Sequence, residues 1–148
     1  MKAEEFLNFA EATVKGGAPV HFRVAIGRAY YGAFNVAAEL LRAAGCHIPN
    51  NAGAHGVVCR LLQEVKCDLT VYEAGAWINS GRGVRNKADY ELLDRKVEGK
   101  NIAERFVLSA RHHVTALRVA FTGPLSPKIV EEVLDQQARE KSTYKPPG

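Results

Sequence analysis

No apolar stretch in this chain is long enough to cross a bilayer. Spanning needs ~18 predominantly apolar residues, and Arg28, Glu39 and Arg42 interrupt even the most hydrophobic segment. Cysteine is scarce as well. Cys46, Cys59 and Cys67 are odd in number and include no CxxC pair, and the opening MKAEEFLNFAE lacks the basic-then-apolar pattern of a signal peptide. A cytoplasmic protein is expected, with reduced cysteines serving as small apolar side chains rather than as a disulfide framework. Also missing are strand-like runs without a better helical reading, and a GKS/T ending behind a strand and glycine-rich turn, which excludes a P-loop. No spacing argues for a Ser/His/Asp or Cys/His nucleophile. The excess of positive charge is small: 20 Lys and Arg stand against 16 Asp and Glu, a net +4. That balance mildly favours polyanionic partners such as RNA, DNA or a nucleotide.

What the chain does have is helical periodicity. Its 148 residues suit one domain that buries roughly two-thirds of the surface its unfolded form exposes. Apolar residues recur at i, i+3, i+4 and i+7 in several segments. The expected fold is all-α: an up-and-down bundle of four to five helices over residues 1–123, then a short amphipathic helix and a disordered tail over 124–148. The first helix, near 3–15, should stop at Gly16–Gly17, and Pro19 suits the first turn of the next. That second helix, about 20–44, should form the centre of the core. Its Ala25, Gly27, Ala29, Gly32 and Ala33 allow a neighbouring helix close, while Arg28, Tyr31, Asn35 and Arg42 lie near one stripe of its other face.

HIPNNAG, 47–53, is turn chemistry. Helices are expected near 54–67, 70–88 and 101–121, the last with Arg105, Arg111, His112 and Arg118 as a partly basic outer face. In SPKIVEEVLDQQAREK, Ile129, Val130, Val133 and Leu134 make an apolar patch too small to fold alone. It must dock, on the bundle or on a second copy of the chain. STYKPPG, 142–148, reads as a disordered tail.

Three stretches occur in a telling order: RVAIGRAYYGAFNVAAELLRAAG in the second helix, a His-Gly turn at AHGVV, and VRNKADYELLDR. Together they resemble HEPN domains, the higher eukaryote and prokaryote nucleotide-binding family, in the prokaryotic branch marked by RAYY and R-x-x-A-D-Y. The resemblance covers roughly residues 3–121. It implies a small helical bundle, a homodimer, and a place in a toxin–antitoxin or defence pair beside a minimal nucleotidyltransferase. It also implies RNA or a nucleotide as the ligand, with no cofactor.

Active members of that family are metal-independent ribonucleases that use an R-x4-to-6-H motif. An arginine there neutralises charge on the phosphate, and a histidine moves the proton. Here Arg85 and Asn86 match the start of the motif, but Tyr90 stands where the histidine would be. A free tyrosine titrates near ~10, which makes it a poor general base at neutral pH. Arg85 and Tyr90 are therefore the residues on which catalysis would rest, in a chain whose expected role is binding rather than cleavage. If it is an enzyme, it is a metal-independent endoribonuclease.

The expected ligand-binding set is Arg28, Tyr31, Asn35, Arg82, Arg85, Asn86 and Asp89. Five of these have a plainer reading beside them. Arg85 and Asp89 are spaced i, i+4 and make an ordinary helical ion pair, while Arg28, Tyr31 and Asn35 make an ordinary packed face. Gly81 and Gly83, just before Arg85, predict a kink or break, each costing about 1 kcal/mol relative to alanine in a helix interior; such a bend would turn backbone N–H groups toward an anion. His55 and Cys59, with Cys46 and His47 upstream, contain zinc-ligand residue types, but the spacing is not a standard one and Cys59 falls on the apolar side. No metal is expected. His55 reads better as a hydrogen-bonding residue at a helix start.

Overall fold

The computed structural model describes residues 1–143, and every regular element among them is a helix. The α-helices are α1 (Glu4–Thr13), α2 (Pro19–Ala43), α3 (Ala54–Gln63), α4 (Leu69–Tyr90), α5 (Lys100–Thr122) and α6 (Ser126–Thr143), with single 3₁₀ turns at Val14–Gly16 and Arg95–Glu98. The all-α bundle expected from periodicity is what the chain forms.

Helix α2 is the axis of the packing and touches each of α1, α3, α4 and α5. Ala25, Ile26, Ala29, Ala33, Val36, Ala37 and Leu41 are wholly buried along it. Its start is set by Pro19 at the first position and by His21, whose Nδ1 accepts a hydrogen bond from the Ala18 N–H at 3.1 Å. The turn before it passes through Gly17 at φ 81°, a conformation that favours glycine. Small residues let neighbours close in: a Cβ at Gly32 would stand 3.1 Å from the Leu7 backbone nitrogen, so α1 lies directly against α2.

Four sequence expectations are modified. Helix α3 ends at Gln63, not near 67, because Glu132 draws the next turn away, its Oε2 accepting from the Lys66 and Cys67 N–H groups at 3.1 and 3.3 Å. Helix α4 runs unbroken through Gly81 and Gly83 to Tyr90. Its ends are fixed, by the Asp68 side chain accepting from Thr70 N–H at one and by Arg23 at the other, and Gly81 is packed between Phe106 and Tyr30. Tertiary packing thus outweighs the glycine propensity penalty. The basic face of α5 is largely spent on ties to α1: Arg111 Nε donates to Glu11 at 3.2 Å and Arg118 Nε to Glu4 at 2.7 Å. Of the expected tail, Ser142 and Thr143 belong to α6; residues 144–148 lie outside the described residues.

The amphipathic C-terminal piece docks on its own bundle, against α3 and α5. Ile129 and Val133 are completely buried. Gln137 clasps the backbone of His47 from both sides, its Oε1 accepting from the N–H at 2.7 Å and its Nε2 donating to the carbonyl at 2.8 Å.

Candidate functional site

Residues three, four and seven apart on a helix share a face, and Arg82, Arg85, Asn86 and Asp89 on α4 are so spaced. That face meets α2 at Gly27 and Tyr31. Gly27 makes room there: a Cβ in its place would come within 2.8 Å of Asp89 Oδ1, and the carboxylate would have to shift. Asp89 is thus seated against the α2 backbone, where it accepts the charge of Arg85.

Arg85 is well occupied. Asp89 Oδ2 lies 2.9 Å from its Nε, but the buried Nε–H is not aligned with any acceptor, so this contact is ionic rather than a directed hydrogen bond. Nη1 donates to Asn86 Oδ1 at 3.1 Å. Nη2 donates a short hydrogen bond to the Tyr31 hydroxyl and reaches toward the Tyr90 hydroxyl at 3.4 Å. Arg85 therefore holds Asp89, Tyr31 and Tyr90 together.

The rings and guanidinium groups alternate. Arg28 lies 5.8 Å from the Phe6 ring centroid and 5.4 Å from that of Tyr31. Arg85 lies 4.7 Å from Tyr31 and 5.3 Å from Tyr90. The result is a ladder, Phe6–Arg28–Tyr31–Arg85–Tyr90, built across α1, α2 and α4, in which each cation sits within cation–π range of two rings. It ends at Tyr90, which is 70% exposed.

Two of the expected residues stand apart from this ladder. Asn35 donates to the Tyr31 carbonyl of its own helix at 2.7 Å and faces a separate groove with Phe34, Arg42 and Asn50. Arg82 is exposed and lies near Tyr30, His55 and Cys59, whose ionisation its charge influences. Among the described residues neither Arg28 nor Arg82 has a carboxylate partner, whereas Arg85 has Asp89.

Beneath Arg82 is a buried polar cluster. The Tyr30 hydroxyl lies 2.5 Å from His55 Nδ1, and Cys59 Sγ lies 3.7 Å from His55 Nε2. Burial, reinforced by Cys59 and opposed by Arg82 and Arg85, pushes the Tyr30 hydroxyl pKa up. Tyr30 is therefore the proton donor and His55 Nδ1 the acceptor. Burial also raises the Cys59 thiol to about 11, against the pull of Arg82 and Arg60, so it stays protonated. Both imidazole nitrogens are directed at protein groups. Among the described residues no three His, Cys, Asp or Glu side chains gather as a metal would require.

His55 carries a testable consequence. Burial first and the Arg82 charge second lower its pKa below the ordinary 6.5, against hydrogen bonding to Asn79. His113 is lowered by burial and by His112, against Glu73. The unfolded chain then binds more protons than the folded one as pH drops below about 6.5, so stability present above that value is lost as pH falls through the folded-state pKa values. Melting temperature should be flat from pH 8 to 7 and fall toward pH 5, and His55→Gln should flatten part of that slope. A protein that melts equally at pH 7 and 5 would refute the assignment.

Sequence reasoning missed Arg23. It is 8% exposed, and its guanidinium reaches the carbonyls of Lys87, Ala88, Glu91, Leu92 and Asp94 and the carboxylate of Glu98. This clamp fixes the end of α4, and with it Arg85, Asp89 and Tyr90. A signal was present: Arg23 is spaced three, four and seven residues before Ile26, Gly27 and Tyr30, on the stripe that faces inward. The chain matches no family model, curated protein or solved structure with which it was compared.

Proposed function

We propose that this chain is an RNA- or nucleotide-binding helical domain that works beside a minimal nucleotidyltransferase, as the HEPN resemblance implies, in a toxin–antitoxin or defence pair. The observation that supports this reading is the surplus of positive charge over one face of α2 and α4. Among the described residues Arg28, Arg82 and Arg85 pair with a single carboxylate, Asp89, and cations without acidic partners near aromatic rings suit a phosphate chain. His55, which feels the Arg82 charge, directs both nitrogens at protein groups, which favours binding over cleavage.

Arg82 makes the cleaner test, because it is exposed and forms no salt bridge or hydrogen bond among the described residues. Arg82→Ala should weaken RNA binding at low salt and reduce the salt dependence by roughly 0.7 in the log–log slope, the increment for one phosphate on a single strand. Its melting temperature should not change. Arg85→Ala should weaken binding and lower melting temperature together, since that residue also holds Asp89 and Tyr31. If wild type binds no RNA at low salt, the reading fails.

A protein-interaction module is the second reading, and one observation favours it. Leu92 and Leu93 are 71% and 98% exposed on a loop whose backbone Arg23 clamps. Under that reading a Leu92→Ser, Leu93→Ser double variant loses a protein partner, and the arginine variants leave RNA binding unaltered.

A further inference from the structure

We infer that Tyr90 is a stacking platform for an unpaired base, so that the face formed by α2 and α4 takes single-stranded RNA in preference to duplex. This rests on the nucleic-acid reading above and narrows its ligand. In the ladder Phe6–Arg28–Tyr31–Arg85–Tyr90, the inner ring, Tyr31, lies near two guanidinium groups, whereas Tyr90, at one end, lies near Arg85 alone. With 70% of the residue exposed, its other face is open.

That ring is also preorganised. Arg85 lies 5.3 Å from its centroid, and the backbone just before and after it is held through the Ala88 and Glu91 carbonyls by Arg23. Presenting a fixed aromatic face leaves little side-chain entropy to lose when a base lands on it. A ring backed by a cation also has reduced electron density, which favours an electron-rich base on its free side. The guanidinium beside the ring, Arg85, and Arg82 about one helical turn before it on α4 would face the phosphates flanking such a base. A base inside a duplex has both faces covered by its neighbours and offers nothing to Tyr90.

The test titrates the full chain against a short labelled oligoadenylate RNA, the same strand with abasic sugars, and the same strand paired in a duplex. Stacking on an aromatic is worth about a five- to hundredfold change in affinity on alanine substitution. Tyr90→Ala should lose that factor for the base-bearing single strand, while Tyr90→Phe binds as wild type, because the ring and not the hydroxyl does the stacking. For the abasic strand Tyr90→Ala and wild type should be equal, and the salt slope of Tyr90→Ala should match wild type. Equal wild-type binding of base-bearing and abasic strands, still weakened by Arg82→Ala, would overturn the inference and leave the anionic-ligand reading standing. Duplex bound more tightly than single strand would overturn it too. No binding by wild type to any of the three would overturn both.

Discussion

Arg23→Ala is expected to lower folding stability by about 3–5 kcal/mol, the range for removing one partner from a buried charged pair. The five N–H groups of the guanidinium are shared among five backbone carbonyls and Glu98 Oε1, the closest at 2.9 Å. Its side chain is 10% exposed and that of Glu98 24%, so the pair is too sheltered to be dismissed as a surface contact. Alanine would leave Glu98 without its cation and take the Arg23 donor from the Ala88 carbonyl, while the Lys87 carbonyl keeps the Glu91 N–H. For a chain of this length the loss corresponds to a fall of roughly 10 °C or more in melting temperature. Arg23→Lys should recover only part, since an ammonium restores the charge but cannot fork toward carbonyls on two sides. Hydrogen exchange at residues 85–92 should accelerate in both variants. An alanine variant that melts within a degree or two of wild type would show that the clamp is not holding the helix end.

The arginine clamp also explains which parts of the site were legible in the sequence. Periodicity located the helices because burial of an apolar stripe fixes each one separately, and α2, α4 and α5 lie close to where their apolar residues put them. The pairing of Arg85 with Asp89 followed from i, i+4 spacing alone. Contacts between distant segments carry no such spacing rule. Arg23 bonds residues 64 to 75 positions away, His55 meets Tyr30 across 25, and Arg28 and Arg85 share the Tyr31 ring only once α2 lies against α4. Gly81 and Gly83 misled for a related reason: local propensity predicted a break, and the packing of Gly81 on Phe106 and Tyr30, together with anchored helix ends, overrode it. HEPN-like motifs contain Arg28, Tyr31, Arg85 and Tyr90 but neither Phe6 nor the alternation of rings and cations, which is a property of the assembled face.

Gly123–Pro124 interrupts the helical pattern between the bundle and its C-terminal helix, and the chain is expected not to be separable there. Helix α6 buries Ile129 and Val133 completely, and Leu134 approaches Gly45 to within 3.5 Å of where a Cβ would stand. Its polar side chains also tie it to the bundle. Glu132 satisfies the N–H groups of Lys66 and Cys67 in the turn between α3 and α4, and Gln137 closes the turn before α3 through both backbone groups of His47. Arg60 and Glu140 add little, since the arginine side chain is 59% exposed. Ile129→Ala is expected to cost about 2–5 kcal/mol, the range for large-to-small changes in a packed core. A chain truncated after Thr122 should lose more than that, because the apolar burial, the turn clasp and the Glu132 contacts go together. Chemical denaturation of both variants decides the matter. If the truncated chain unfolds at the same denaturant concentration as the full one, α6 is an accessory to a self-sufficient bundle; if it unfolds earlier than Ile129→Ala, the folding unit extends to the end of α6.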